Sequence, residues 1–404
     1  DTFSSRGLGD VYKRQSMFHI PEGMIYLDGN SLGPLPKTAA ARVAETVTQQ
    51  WGEMLITGWN KAGWMAQPTL VGDRIAKLIG AEAGHVMVGD TLSIKVYQAL
   101  ASALEMRPDR KIILSDSGNF PSDLYIAEGL IASLDRGHEL RVVAPEEIEA
   151  HITEDVAVTL ITEVDYRSGR LHDMAKLTAK AHAMGAVTVW DLAHSAGAID
   201  VNLAAAAADF AVGCSYKYLN GGPGAPGFIY VAPRHAETAR PALSGWLGHD
   251  APFAFEQSYR AGGGIERMRV GTPPVLALAA LEAALDVWDM TTMAEIRARS
   301  VALTSQFIDA IEARCPMLTL ASPRNPNLRG SQVSFRFAHG YAAMQALIDR
   351  GVVGDFRAPD IMRFGFTPLY IDAADVDAAV NIIADVMTHD LWDKDIYKIR
   401  ARVT

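Results

Sequence analysis

Short apolar runs alternate with helical patterns between residues 85 and 232, and this alternation constrains the fold more than any other feature. The apolar runs predict strands at 85–88, 111–115, 141–144, 156–162, 187–191, 210–215 and 228–231. Most of them are continuously apolar, which is typical of strands buried on both faces. The segments between them predict helices at 91–104, 122–134 and 173–184. This order predicts an α/β fold with a doubly wound, mostly parallel sheet.

The pattern changes after residue 273. Long helical patterns at 274–288 and 293–314 lead into shorter strands and helices that end near Met387. A chain of 404 residues is also long for one domain. We therefore expect an appended or disordered segment at 1–16, an N-terminal segment at 17–84 that packs across both domains, a large domain at 85–273 and a smaller α+β domain at 274–404.

Charge and composition exclude several classes of protein. A formal net charge of -10 argues against a general nucleic-acid binder, which needs a basic face. No stretch of about 18 uncharged apolar residues is present, so we expect no transmembrane helix. Two cysteines, Cys214 and Cys315, cannot form a disulfide framework, which fits a reducing cytoplasm. We expect a cytoplasmic protein with no metal site.

Polar groups follow two successive predicted strands. Asp191 and His194 come at the end of strand 187–191, and Lys217 follows strand 210–215. Ligands in open α/β sheets bind beyond the carboxyl ends of the strands. Pyridoxal phosphate needs a lysine amine for its Schiff base and a carboxylate opposite its ring nitrogen. The pair predicts this cofactor on Lys217, although Asp191 alone could be a helix cap and Lys217 alone a solvated charge.

Two further strand ends suit the rest of that cofactor. Residues 89–93 follow a strand and open a helix, where backbone amides and hydroxyls bind phosphate readily. Simple N-capping by Asp90 or Thr91 is the alternative. Residues 119–123 follow another strand, and Pro121 suits the first turn of a helix. Phe120 could stack on the cofactor ring, and Asp123 could hydrogen-bond near it.

A glycine-rich segment imitates a nucleotide-binding motif. Residues 222–227 read Gly-Pro-Gly-Ala-Pro-Gly, which has the spacing of the dinucleotide fingerprint. That fingerprint must follow a strand and open a helix, whereas this segment leads into a strand. Its two prolines also lack amide donors for a pyrophosphate. We expect no nucleotide site there.

Five segments resemble the kynureninases, a family within the aminotransferase-like fold (fold type I, class V) of pyridoxal-phosphate enzymes. They are LDGNSLGPLP (27–36), NFPSD (119–123), DLAHSAGA (191–198), CSYKYLNGGPG (214–224) and MRFGFTPLY (362–370). The resemblance implies hydrolysis of L-kynurenine to anthranilate and L-alanine, in tryptophan catabolism or NAD biosynthesis. It also implies a homodimer with shared active sites.

The resemblance assigns roles to individual residues. Lys217, Asp191 and Tyr216 match catalytic positions. The positions that match cofactor contacts are Leu92, Ser93, Phe120, Pro121, Ser122, Asp123, Thr162, Asp191, His194, Tyr216 and Lys217, with Trp246 and Thr272 reaching the site of the partner subunit. The positions that match substrate contacts are Asn30, Ser31, Asn60, Trp64 and Arg363.

Two of these positions bear on the substrate. Animal kynureninases have a histidine at the position of Asn60 and an asparagine at that of Thr272, both associated with the 3-hydroxylated substrate. The segment GWNKAGW (58–64) resembles bacterial members of the family. This favours kynurenine and leaves 3-hydroxykynurenine open as a second substrate.

The strand pattern of residues 361–366 bears on Arg363 independently. Alternation places Met362, Phe364 and Phe366 on one face and Arg363 on the other. A guanidinium fork suits bidentate binding of a carboxylate, so Arg363 is a candidate for the substrate α-carboxylate. An exposed surface arginine is the alternative interpretation.

Other functions of the same fold stay open. A cysteine desulfurase needs a nucleophilic cysteine on a mobile loop, whereas Cys214 lies in a predicted buried strand and Cys315 between a helix and a strand. A selenocysteine lyase and an aminotransferase are not excluded by this argument. A cofactor-binding regulator would carry a basic DNA-binding module, and the sequence has no such pattern.

Overall fold

The computed structural model of the protein describes residues 16–401. Its strands, in chain order, are β1 (Phe18–His19), β2 (Ile25–Tyr26), β3 (Leu35–Pro36), β4 (Val86–Val88), β5 (Ile112–Asp116), β6 (Glu139–Val143), β7 (Val156–Thr162), β8 (Val187–Asp191), β9 (Phe210–Cys214), β10 (Gly227–Val231), β11 (Thr319–Leu320), β12 (Gln332–Arg336), β13 (Val352–Val353), β14 (Asp355–Arg357) and β15 (Ile361–Gly365). Its α-helices span Lys37–Glu45, Gly58–Lys61, Gln67–Leu78, Leu92–Glu105, Pro121–Leu134, Ile148–His151, Met174–Ala183, Val275–Leu285, Met293–Arg314, Gly340–Ile348, Ala373–Thr388 and Asp395–Lys398.

Strands β4 to β10 form the central sheet, in the spatial order β4-β10-β9-β8-β7-β5-β6. Strands β9, β8, β7, β5 and β6 run parallel to one another, whereas β10 is antiparallel to both β4 and β9. The predicted α/β fold with a mostly parallel sheet is therefore confirmed. Strands β7 and β8 have the predicted bounds, and the other five are shifted by one or two residues at one or both ends.

Apolar cores cover both faces of this sheet. Val86 and Val88 of β4 pack into one core, and Met87 between them packs into the other. The same alternation recurs in β10, where Phe228 and Ile229 belong to opposite cores. Burial on both faces explains why these strands read as continuous apolar runs.

A second, antiparallel sheet lies in the C-terminal part, in the order β11-β12-β15-β14. The ring of Phe307, from helix Met293–Arg314, packs on this sheet with its centroid 5.2 Å from that of Phe364 and 4.9 Å from that of Phe366. Met362 is also fully buried. The predicted inward face of residues 361–366 is confirmed.

The N-terminal residues contact both of these regions. The Leu27 amide donates to the Val353 carbonyl at 2.7 Å, and the Gly33 amide donates to the Tyr216 carbonyl at 2.8 Å. The predicted boundaries at 84 and 273 stay a prediction. The appended segment predicted at 1–16 lies, apart from Ser16, outside the described residues.

Within residues 16–401, no helix is long and apolar enough to cross a membrane. The same residues contain no cluster of three or more His, Cys, Asp or Glu side chains that could hold a metal ion.

Candidate active site

The carboxyl ends of β7, β8 and β9 open into one cavity of about 160 Å³. Lys217 lies in it, and its Nζ is 3.0 Å from Nε2 of His194. The cavity is lined by Thr91, Leu92, Ser93, Phe120, Ser122, Asp123, Thr162, Tyr166, Asp191, Ala193, His194, Tyr216 and Lys217. The fold thus brings together residues from five separate chain segments that the sequence singles out. Among the cofactor contacts predicted within one subunit, only Pro121 is absent from this lining, and it begins the helix Pro121–Leu134.

The imidazole of His194 is neutral in this environment. Burial is the main reason why its pKa lies well below the ordinary value, and the charges of Lys217 and Arg363 lower it further. A neutral imidazole keeps one nitrogen as an acceptor, so Nε2 can accept a hydrogen bond from the amine of Lys217.

Two buried carboxyl groups, those of Asp191 and Asp123, also line the cavity. Burial raises the pKa of both Asp191 and Asp123, and the charge of Asp191 raises that of Asp123 further. The charge of Lys217 acts in the other direction on both groups. Oδ1 of Asp191 accepts from the Ala193 amide at 2.8 Å. The Asp123 and Asp191 side chains also hydrogen-bond to each other, which raises the pKa of Asp123 and lowers that of Asp191. No N–H group or hydroxyl within residues 16–401 donates to Oδ2 of Asp123, so a ligand can still supply that donor.

Aromatic rings flank the lysine. Its Nζ is 6.0 Å from the ring centroid of Phe120 and 5.7 Å from that of Tyr216. The Phe120 ring is held edge-to-face by Tyr166, with 5.2 Å between their centroids. Phe120 nevertheless remains 45% exposed, so a planar ligand can pack against it.

The N-termini of two helices meet at one end of the cavity. Leu92–Glu105 and Pro121–Leu134 both begin there, and Oγ of Ser93 lies 3.2 Å from Oγ of Ser122. Thr91, not Asp90, caps the first helix, because its side chain accepts from the Ile94 amide. Two helix N-termini with hydroxyls between them form a site suited to an anion.

The glycine-rich segment 222–227 supports this end of the cavity. A Cβ on Gly227 would lie 2.7 Å from the Leu92 amide nitrogen, so only glycine lets β10 approach the loop before the first helix this closely. The Gly227 amide donates to the Asp90 carbonyl, and its carbonyl accepts from the Gly89 amide, each at 2.9 Å. The segment leads into a strand, as the sequence predicts, and packs against the protein's own backbone.

Arg363 is buried, so the alternative of an exposed arginine is wrong. It stands opposite Asp355 in the pairing of β14 with β15. Its Nε donates to Oδ1 of Asp355 at 2.6 Å, and its Nη2 donates to Oδ2 at 2.5 Å. Nη2 also donates to the Ser31 hydroxyl at 2.9 Å, and Nη1 donates to the Tyr166 carbonyl at 2.5 Å. Tyr166 therefore connects the arginine to the cavity of Lys217.

The other predicted substrate residues divide into two groups. Ser31 binds Arg363, and the neighbouring Asn30 is fully buried with no partner for its amide within the described chain. Asn60 is exposed, and Trp64 donates from Nε1 to Oε1 of Gln50 at 2.9 Å. Neither lines the cavity of Lys217 in this chain.

Trp246 and Thr272 also lie away from that cavity. The Trp246 ring is 41% exposed and packs edge-to-face on Phe253, with centroids 5.6 Å apart. Thr272 lines a narrow cleft beside Asp90 and Lys95. Their predicted place in the site of a partner subunit stays a prediction.

Sequence reasoning missed three residues near the site, Tyr166, Asp355 and Glu163, and it considered Arg357 only as a substitute for Arg363 in carboxylate binding. Asp355 and Arg357 lie in the short strand β14, whose pairing with β15 places Asp355 opposite Arg363 and Arg357 opposite Ile361. Glu163 follows Thr162 directly, and its amide donates to the Asp191 carbonyl at 3.0 Å. Its position next to a predicted site residue was the available signal.

Comparison with known proteins agrees with this geometry. The family model of the kynureninase C-terminal domain matches residues 296–383. A kynureninase from Pseudomonas fluorescens is 48% identical over 397 residues, which cover 96% of this chain and 95% of the relative. The chain belongs to the kynureninase family. The expected family and enzyme class, a hydrolase of carbon–carbon bonds, are thereby confirmed.

Solved structures agree at the level of the fold. A cysteine desulfurase from Thermococcus onnurineus superimposes with a TM-score of 0.78 at 18% identity, covering 94% of this chain and 98% of that one. A C-DES variant with glycine covalently linked to its pyridoxal-phosphate cofactor gives a TM-score of 0.78 at 16% identity, covering 90% and 97%. Kynureninase relatives and these neighbours together indicate pyridoxal phosphate as the cofactor. The desulfurase alternative has support only from the fold.

Proposed function

We propose that this protein hydrolyses L-kynurenine to anthranilate and L-alanine, with pyridoxal phosphate bound covalently to Lys217. The observation that carries the proposal is the convergence of Lys217, Asp191 and Asp123 in one cavity, with the buried Arg363 linked to it through Tyr166. The family supplies the reaction, and this cavity supplies the groups that the reaction needs.

The residues of the cavity fit the cofactor. Phe120 offers an exposed ring face, and Asp191 and Asp123 offer buried carboxyl groups on the wall. Ser93 and Ser122, with Leu92 and Tyr216 nearby, offer hydroxyls and amides to a phosphate at two helix N-termini. Thr162 and His194 complete the contacts, and Pro121 fixes the start of the second helix.

Each residue then has a distinct task. When bound, the cofactor supplies a protonated aromatic ring that accepts electrons from the substrate. Asp191 holds the proton on the ring nitrogen. Lys217 would hold the cofactor and take up the proton from the substrate Cα, and Nε2 of His194, 3.0 Å from Nζ, would orient the lysine amine. Tyr216 serves proton transfer near the substrate carbonyl, to which water adds before the Cβ–Cγ bond breaks.

The substrate is held at both ends. Arg363, with Ser31 and Asn30, would bind the α-carboxylate of the amino acid, and this would orient the substrate Cα towards Lys217. Asn60 and Trp64 contact the aromatic ring. Asn60 in place of histidine favours kynurenine, while 3-hydroxykynurenine stays open as a second substrate.

We further propose a cytoplasmic homodimer with shared active sites. Trp246 and Thr272 would each reach the cofactor of the partner subunit, and this is supported by the exposure of Trp246 and by its distance from the protomer's own cavity lining. Both cysteines are free and buried, which suits a reducing compartment. Light scattering that finds a fully active monomer would exclude the shared site.

The burial of the cysteines argues against a desulfurase. Cys214 is 3% exposed and directs its Sγ at the Ala193 carbonyl, 3.8 Å away, and Cys315 is fully buried. Neither thiol can reach a substrate on a mobile loop, and burial raises the pKa of both.

The decisive experiment mixes the purified protein, loaded with pyridoxal phosphate, with L-kynurenine. We expect anthranilate fluorescence to rise with an equal release of L-alanine. L-cysteine and an amino acid with 2-oxoglutarate serve as comparison substrates for desulfuration and transamination. Release of sulfide or transfer of the amine, without anthranilate, would replace the proposal by one of those reactions.

A further inference from the structure

Arg363 has few hydrogen-bond donors left for a substrate. A guanidinium carries five N–H groups. Asp355 takes the whole edge formed by Nε and Nη2, Ser31 accepts from Nη2, and the Tyr166 carbonyl accepts from Nη1. One N–H on Nη1 remains outside these bonds. A carboxylate that approached Arg363 alone could not form two hydrogen bonds without displacing a partner.

The charges of this cluster lead to the same conclusion. Arg363 and Asp355 are both 2% exposed or less and carry opposite charges, so together they attract a carboxylate only weakly. A second guanidinium, that of Arg357, places its Nη2 2.7 Å from Oδ2 of Asp355. One carboxylate thus serves two arginines, and the net positive charge comes from the pair.

Another acid beside the cluster, Asp28, does not cancel that charge below neutral pH. Asp28 is mostly buried, and its burial and the charge of Asp355 raise its pKa to about 7. Among the remaining polar neighbours, Ser31 and Tyr26 are uncharged. Arg357 therefore supplies the charge that the site needs for an anionic ligand.

Arg357 is also partly accessible. Its side chain is 33% exposed and forms an ion pair with Asp355, and within residues 16–401 its one hydrogen bond goes to the Phe356 carbonyl, at 3.2 Å. Its charge is close enough to act on Tyr166 and on His194, which both line the cavity of Lys217.

We infer that Arg357 is a second carboxylate-binding residue, so that the substrate α-carboxylate lies between Arg357 and Arg363 with Asp355 as their shared counter-ion. The inference rests on the proposed function in one respect, namely that the substrate is an α-amino acid. It assigns Asp355 the task of holding both guanidinium groups in place and leaves their outer edges to the ligand.

The test measures binding of L-alanine to the holoenzyme, through the change in cofactor absorbance, in the parent and in Arg357→Gln. We expect the Kd for L-alanine and the KM for L-kynurenine to rise about tenfold or more, while kcat changes less than about threefold. Kynuramine, which lacks the α-carboxylate, should bind parent and variant equally. Arg336→Gln is the matched control, because Arg336 lies in the same sheet and pairs with Asp360 at the surface.

Arg357→Lys keeps the charge without the fork and should bind L-alanine with intermediate affinity. If Arg357→Gln does not fold, the L-alanine affinity of Arg357→Lys tests whether Arg357 binds the carboxylate. Binding of L-alanine within about threefold of the parent in either folded variant overturns the inference, as does an equal loss for kynuramine. If L-alanine binding depends on Arg357 but no anthranilate forms from kynurenine, the inference stands and the proposed function fails.

Discussion

Two buried aspartates at opposite ends of neighbouring strands have contrasting surroundings. Asp209, just before β9, accepts hydrogen bonds from the amide and hydroxyl of Thr188, from His182 and His235, and from Arg234, at 2.6 to 3.1 Å. Burial alone would raise its pKa, but the hydrogen bonds from His235 and His182 outweigh burial and hold the pKa well below its ordinary value. Asp191, at the end of β8, has one backbone donor and a second acid, Asp123, beside it.

The difference separates structural from functional carboxylates in the same sheet. Asp209 is fully satisfied by the protein, so it stabilises the fold and has nothing to offer a ligand. Asp191 and Asp123 are buried with fewer hydrogen-bond donors around them than Asp209 has, and this lowers the stability of the fold. Such a cost is typical of a binding site, where a ligand supplies the missing partner. Both aspartates are buried, but the one at the amino end of β9 has all its hydrogen-bond partners within the protein, and the one at the carboxyl end of β8 does not.

The largest effect is expected for Lys217→Ala. This change removes the amine that bonds the cofactor and moves the Cα proton, so anthranilate formation should fall by roughly 10⁴-fold or more. The purified variant should lose the borohydride-reducible absorbance of the parent and keep its melting temperature within a few degrees. A variant that retains a reducible covalent cofactor would show that another lysine bears it.

Asp191→Asn tests the functional side of the comparison. The shape is nearly unchanged, but the amide cannot hold the ring proton, so we expect kcat/KM to fall by roughly 10³-fold, equal to about 4 kcal/mol. Thermal unfolding of the apoenzyme should change little, or the variant should be more stable, since a buried acid is removed. Near-normal turnover would make Asp191 a structural cap.

Asp209→Asn tests the structural side. The amide keeps one acceptor oxygen but loses the charge and the second oxygen that Arg234 and the two histidines share, so the free energy of unfolding should fall by about 3 kcal/mol. Below the melting temperature kcat should stay within about twofold of the parent, because Asp209 lies far from the cofactor end of the strands. Asp200→Asn, at an exposed position nearby, is the control that should change neither quantity. A stable but inactive Asp209→Asn variant would show that Asp209 is functional and not structural, contrary to this comparison.

Glu163→Gln should have the smallest effect of these changes. It tests a further buried acid beside the site through the pH dependence of the free energy of unfolding. Burial raises the pKa of Glu163 from 4.5 to about 7. A raised folded-state pKa gives stability that is present below the unfolded pKa and lost as pH rises to about 7. Urea unfolding should therefore show the parent losing about 2 kcal/mol between pH 5 and pH 8 through this group, and the variant lacking that loss.

Glu154→Gln provides the reference for this measurement, since Glu154 is exposed and should leave the pH dependence unchanged. Parallel pH profiles for the parent and Glu163→Gln would mean that Glu163 is ionised throughout and compensated by the protein.

The sequence by itself determined the layered fold and the centre of the site. Continuous apolar runs can be buried only in a sheet covered on both faces, so the strands β7 and β8 were predicted with their bounds. Polar residues that follow such strands must lie at one edge of the sheet, which predicts that Asp191 and Lys217 share a cavity. These inferences need only the local apolar pattern and the fact that parallel strands have their carboxyl ends at the same edge of the sheet.

The tertiary structure alone decided what surrounds Arg363. Alternation turned Arg363 away from the apolar face, but its burial and its pairing with Asp355 depend on β14, a strand of three residues that has no distinct pattern of its own. Arg357 joins the same cluster from that short strand, and Tyr166 joins it from a distant segment of the chain. Local sequence sets which face a side chain takes, whereas the groups that meet there are set by the packing of distant segments, because cross-strand partners are fixed by register and not by sequence distance.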